Sequence, residues 1–118
     1  MRKLLVADDT EDIRVLLRLV LSGSFEIIAE ATDGAEALAD WQSNRDDVFA
    51  LVLDYRMPRM TGLDVARRVL AEDPTARIVL FSANISEELV AEAEAAGVTA
   101  VVHKEQLPEL AGHAALAA

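Results

Sequence analysis

Leu51-Val52-Leu53-Asp54-Tyr55-Arg56-Met57-Pro58-Arg59-Met60-Thr61-Gly62 is the stretch on which the fold turns. An apolar run, Phe49–Leu53, stops abruptly at a carboxylate, and helical periodicity then holds from Gly62 to Glu72. A run with little in-out alternation, leading through a short turn into a helix, is what a parallel strand covered on both faces produces.

The same unit recurs on either side. Strands are expected at Leu4–Ala7, Phe25–Ala31, Phe49–Leu53, Arg77–Ser82 and Val98–His103. Helices are expected at Glu11–Ser22, Gly34–Ser43, Gly62–Glu72 and Ser86–Ala96, with a short last one from about Pro108 to Leu116. Asp33-Gly34 reads as a turn, Ser86 as a helix start, Gly97 as a left-handed helix end and Pro108 as a first-turn proline. Five alternations need right-handed crossovers between parallel strands. The expected architecture is therefore α/β: a doubly wound (βα)5, flavodoxin-like three-layer sandwich on a five-stranded parallel sheet.

Composition bounds the rest. The chain has 118 residues, no cysteine, 53% hydrophobic and 27% charged residues, and a formal net charge of −10. That is one expected domain, residues 1–118, with a possible linker beyond, and it can hold no disulfide or cysteine metal site. Its acidity disfavours capture of nucleic acid or an anionic membrane. No apolar run approaches the ~20 residues of a membrane span, and the opening is too quickly acidic for a signal-peptide core, so a cytoplasmic location is expected.

In doubly wound sheets, sites form at the carboxyl ends of strands. Asp8 and Asp9 follow the first run, Asp54 the third, Ser82-Ala83 end the fourth and His103-Lys104 the fifth. Singly, each has an ordinary explanation: Asp9 or Asp12 as a helix cap, Ser82 as a helix entry, Lys104 as a solvated loop charge. Together they bring three carboxylates, a hydroxyl and an ammonium to one edge. Carboxylates that close repel, so a cation is needed among them, and Mg2+ suits an oxygen donor set that also handles phosphate. A carboxylate nucleophile, a metal and fixed donors describe phosphoryl transfer onto an aspartate. Spacing alone does not say which carboxylate is the nucleophile.

At these residues the chain resembles the receiver domain of two-component response regulators. The stretch Leu51–Gly62 is similar to the family's phosphorylation segment, Asp8-Asp9 to its acidic pair, and Ser82-Ala83 and Lys104 to its remaining positions. The resemblance implies strand order 2-1-3-4-5 and a magnesium-dependent phosphorelay. It implies that Asp54 accepts a phosphoryl group from a histidine kinase or histidine phosphotransfer domain. It further implies that Asp9, Asp54 and the Arg56 backbone carbonyl hold Mg2+, that Asp8 holds a metal-bound water, and that Ser82 and Lys104 hold phosphoryl oxygens. Catalysis would be limited to the chain's own phosphorylation and dephosphorylation. Val101 stands where the family often has an aromatic that turns inward, so switching at Ser82 and Val101 is expected to use backbone or loop shifts. Glu105 follows the lysine where proline is common, which leaves the Lys104–Glu105 bond without the residue that favours cis. Arg56 and Asn84, two residues beyond Asp54 and Ser82, are expected to modulate the approach of the hydrolytic water.

Two surfaces bear on partners. Ile13, Leu16, Leu17, Val20 and Leu21 make one apolar stripe on the first helix, which leaves Val15 and Leu19 outside it. The resemblance makes these two a docking face for the histidine-bearing partner. After Ile78 the only Lys or Arg is Lys104, so a homodimer through helices 4 and 5 built on charged pairs is disfavoured. Three competing functions remain. A pseudo-receiver, an interaction module that no longer takes phosphate, is opposed by the intact set Asp8, Asp9, Asp54, Ser82 and Lys104. An aspartate-nucleophile phosphatase would want a second Asp two positions beyond the first, and a flavodoxin-like binder would want a Ser/Thr/Gly loop where Asp8-Asp9-Thr10-Glu11-Asp12 stands.

Overall fold

The five apolar runs form strands β1 (Arg2–Ala7), β2 (Phe25–Ala31), β3 (Val48–Asp54), β4 (Ile78–Ser82) and β5 (Ala100–His103) in a computed structural model that describes residues 1–117. Ala118, the end of the expected domain, lies outside the described residues. All strand pairs are parallel, and the order is β2-β1-β3-β4-β5. The chain moves outward to β2 first and then returns past β1 to β3, so the order reverses at β1. The crevice of such a sheet lies beyond the carboxyl ends of β1 and β3.

Alternate side chains of each central strand enter opposite cores. Leu5 and Ala7, Leu51 and Leu53, and Ile78 and Leu80 face helices α2 (Gly34–Asn44), α3 (Gly62–Glu72) and α4 (Glu87–Ala96). Leu4 and Val6, Ala50 and Val52, and Val79 and Phe81 face α1 (Glu11–Leu21) and the last segment. Both faces being buried is why these strands carry no polar alternation.

Helix ends follow local chemistry. Asp33 caps α2 by accepting from the Glu36 N–H at 2.8 Å, and Ser86 caps α4 by accepting from Leu89 at 3.0 Å. Thr61 and Asp64 make a reciprocal capping box on α3. Gly97 ends α4 with φ of 95°, a conformation that glycine alone adopts without strain. At α1 the cap position is Thr10, whose side chain makes no capping bond, so neither Asp9 nor Asp12 serves as the cap.

The last segment departs from expectation. It starts at Lys104 rather than Pro108, and it is 3-10 helix over Lys104–Gly112 and Ala114–Leu116. The His103 ring Nδ1 accepts from Glu105 N–H at 3.1 Å and the Gln106 side chain accepts from His103 N–H at 2.8 Å, which together start the turn early. Pro108, inside this segment, lacks the N–H that a regular α-helix would need there. β5 also begins late, because Thr99 is taken up by Ile78: its N–H donates to the Ile78 carbonyl at 2.9 Å and its hydroxyl accepts the Ile78 N–H at 2.9 Å.

Candidate functional site

β1 and β3 end side by side, and their registers set Asp8 beside Asp54. Asp8 follows Ala7, which pairs with Leu53, and Asp54 is the next residue of β3. Asp8 is fully buried and Asp54 almost so, while Asp9 is exposed at the rim. Each of the three offers a carboxylate oxygen, all within 4.8 Å of one another. At an effective dielectric of about 20, like charges at that spacing repel by roughly 3–4 kcal/mol per pair.

Asp8 is held on three of its four polar atoms. Its N–H donates to the Ala31 carbonyl at 3.1 Å, its carbonyl accepts from Arg14 Nη1 at 2.7 Å, and Oδ1 accepts the Thr10 N–H at 2.7 Å. Oδ2 is buried with no hydrogen-bond partner. The nearest cation is Lys104, whose Nζ lies 3.6 Å from Asp8 Oδ2 and 3.9 Å from Asp54 Oδ2. Lys104 comes from the end of β5 and also lies over the Phe81 ring at 5.9 Å. Burial pushes the Asp54 carboxyl up to about 7, the Asp8 carboxylate adds to the rise, and Lys104 opposes it. One ammonium against three carboxylates leaves the edge short of positive charge. An orphaned buried carboxylate oxygen and two more beside it are a donor set that fits a hard divalent cation.

The β3–α3 loop is packed against this edge by backbone. A Cβ on Gly62 would lie 2.2 Å from the Asp54 carbonyl oxygen, and one on Gly34 would lie 2.1 Å from the Met60 carbonyl oxygen. Between them Arg59 holds φ of 71° and pairs with Asp33 at 3.0 Å. Asp33 thus caps α2 and ties down the loop, and the Glu36 N–H and Arg59 keep its carboxyl below the usual range.

Ser82, nearly buried, lies at the end of β4. Its hydroxyl donates to the Asn84 carbonyl at 2.9 Å and accepts the Asn84 N–H at 3.3 Å, so it faces the β4–α4 turn rather than the carboxylates. Arg56 and Asn84, both exposed, line one cleft of about 580 Å³ together with Tyr55, Ala83 and His103. Val101 is half-buried in β5 against the α2–α4 core. The Lys104–Glu105 bond is trans, as is every other described peptide bond. Val15 and Leu19 stand apart from the site on the outer face of α1, with Leu19 78% exposed. No local pattern in the sequence marks the bond from Arg14 to the Asp8 carbonyl. The Asp33–Arg59 pair is likewise unmarked. The separation of 26 residues hides the pair.

Residues 4–115 match the family described as response regulator receiver domain. The chemotaxis protein CheY of Listeria monocytogenes is 34% identical over 94 residues, spanning 79% of this chain and 77% of that protein. Among solved structures, the signal receiver domain of the response regulator NarL from Mycobacterium tuberculosis is similar at a TM-score of 0.85 and 29% identity, covering 97% of this chain and 95% of that one. A chain in the CheX–CheY complex with BeF3 and magnesium from Borrelia burgdorferi is similar at a TM-score of 0.81 and 25% identity, covering 92% and 84%.

Proposed function

The chain belongs to the response regulator receiver domain family, and from that premise we propose that it accepts a phosphoryl group on Asp54 in a magnesium-dependent phosphorelay. Phosphoryl acceptance is the general activity of the family, whose members are signalling modules. The observation that carries the proposal is Asp54 itself: a buried carboxyl at the strand-order reversal, beside two more carboxylates and one lysine.

In the proposed step an Asp54 carboxylate oxygen attacks the phosphorus of a phosphohistidine. The new O–P bond forms as the N–P bond breaks, and its electron pair leaves on an imidazole already protonated at the other nitrogen. Magnesium held by Asp9, Asp54 and the Arg56 backbone carbonyl, with Asp8 through a water, would supply charge neutralisation at the carboxylates and at the phosphoryl oxygens. Lys104, already within 4 Å of Asp8 and Asp54, is suited to a phosphoryl oxygen. Ser82 reaches one only by turning its hydroxyl off the Asn84 carbonyl, which makes Ser82 and the β4–α4 turn the proposed switch, with Val101 too small to act as a rotating ring. Arg56 and Asn84 line the cleft that also holds Tyr55, the residue after Asp54, and are proposed to modulate hydrolysis.

The proposed donor is a histidine kinase or histidine phosphotransfer domain that docks on the α1 face carrying Val15 and Leu19. A charged-pair homodimer through α4 and the last segment is not expected, since α4 carries Glu87, Glu88, Glu92 and Glu94 and no cation. No helix among the described residues is long and apolar enough to cross a membrane.

The test is covalent labelling. Incubation with a small acyl phosphate and magnesium should add the mass of one phosphoryl group, lose it on chelation of the metal beforehand, and add nothing to Asp54→Asn. A parent that never labels, or a variant that still does, overturns the proposal.

A further inference from the structure

We propose that Arg14 is a positioning residue for the metal-binding carboxylates, acting through the peptide that joins Asp8 to Asp9. The proposal rests on the magnesium reading of this edge.

Arg14 and Arg18 are one turn apart on α1 and both pair with Glu30 at the end of β2, Arg14 Nε at 3.9 Å and Arg18 Nε at 2.8 Å. Their surroundings differ. The Arg18 side chain is 47% exposed, whereas that of Arg14 is 15% exposed. Side chains on a helix lean toward its N-terminus, so a first-turn arginine can reach the loop that precedes it. Arg14 does so, donating Nη1 to the Asp8 carbonyl at 2.7 Å.

That carbonyl belongs to the one peptide group shared by Asp8 and Asp9. Rotation of this peptide would move both carboxylates relative to Asp54. Its other restraints lie on the Asp8 side: the Asp8 N–H on Ala31 and Oδ1 on the Thr10 N–H. Without the guanidinium, a part-buried carbonyl has no partner in the protein and the peptide is free to turn toward water. Groups that orient metal ligands without touching the metal typically contribute tenfold or more to affinity.

The charge of Arg14 argues in the opposite direction, since a cation near the site repels Mg2+. Glu30 faces that charge but is shared with Arg18, so it offsets the repulsion only in part, and orientation has to be the larger effect. The two effects have opposite signs, and a titration separates them.

Magnesium binding is measured by calorimetry on the parent, Arg14→Met and Arg18→Met, and amide exchange is followed without metal. Arg14→Met should weaken magnesium binding about tenfold, with Arg18→Met within about twofold of the parent. Exchange at Thr10, whose N–H is held by Asp8 Oδ1, should quicken in Arg14→Met while α1 keeps its protection. Binding that is unchanged or tighter in Arg14→Met overturns the proposal. So does an equal loss in Arg18→Met, or exchange that quickens along the whole helix, since either marks a merely structural role. Arg14→Lys, which keeps the charge but loses the two-pronged reach, carries the same test and the same outcomes if Arg14→Met does not fold. A parent that binds no magnesium overturns the underlying reading and this proposal together, whereas a parent that binds while its Arg14 variants bind equally overturns this proposal alone.

Discussion

At the carboxyl end of the sheet Asp8 and Asp54 lie buried side by side, one carboxylate oxygen has no partner, and a single lysine faces them. At the amino end three arginines, Arg2, Arg45 and Arg77, are each accommodated. Arg2 and Arg77 both lie over the Phe49 ring at 4.6 Å, Arg45 lies over Trp41 at 4.6 Å and pairs with Glu72 at 2.7 Å. Arg77 also donates to the carbonyls of Ala115 and Ala117 at 2.9 and 2.8 Å. The same sheet thus holds like charges together unsatisfied at one end and spreads satisfied charges over aromatic rings at the other. The first arrangement opposes folding and is useful only if something binds. The second stabilises and asks for nothing.

The contrast can be broken from either end. Gly62→Ala should have the largest effect, because its Cβ would press on the Asp54 backbone, which cannot yield as a side-chain tip can. A loss of about 3 kcal/mol in urea unfolding is expected, together with slowed labelling; unchanged stability would show that the loop is looser than it looks. Phe49→Ala should lower stability by about 2–3 kcal/mol, toward the low end of phenylalanine truncations because the ring is half-buried. Labelling should be untouched, and a labelling defect would mean that the two ends are not independent.

Asp54→Asn sharpens the electrostatic half. The carboxyl titrates near 7 in the fold against an ordinary 3.8, so it prefers its proton in the folded state. Its contribution to stability is complete below about pH 4 and is lost as pH rises through 7. In metal-free protein the asparagine variant should therefore match the parent near pH 4 and exceed it increasingly up to about pH 7, where the gain levels off. A gain that instead grows toward acid would reverse the assignment. Smallest in stability is Arg56→Ala, expected within about 0.5 kcal/mol of the parent because the side chain is exposed. Its effect should appear as a shortened lifetime of the aspartyl phosphate, and an unchanged half-life would remove Arg56 from the site.

What the sequence could tell follows the same division. Short-range chemistry was legible. The apolar runs gave five strands to within a few residues, because strands buried on both faces have no other composition. Asp33, Ser86 and Gly97 marked helix ends through preferences that act within one turn. The arrival of the acidic pair, Asp54, Ser82 and Lys104 at one edge was legible because parallel topology sends every strand end there. Long-range geometry was not legible. Nothing in the wheel of α1 separates Arg14 from Arg18; the difference arises when β2 delivers Glu30 between them and Asp8 turns its carbonyl to the helix. Nor did the sequence show that Ser82 would face Asn84, a rotamer choice made by the turn after β4. The 3-10 winding after His103 was hidden because the capping group there is an imidazole, which cap preferences do not anticipate.

The chain has one tryptophan, and Trp41 sits in α2, 2% exposed, beside Val48, Phe49 and Arg77 at the amino end of the sheet. Its emission therefore samples the end of the molecule where nothing is expected to bind. Fluorescence of this residue is suited to following denaturation and poorly suited to following events at Asp54. Tyr55, the single tyrosine and the neighbour of Asp54 in the chain, is the chromophore placed to see them. Moving the indole to that position, by Tyr55→Trp with Trp41→Phe, would turn a stability probe into an optical readout of the site.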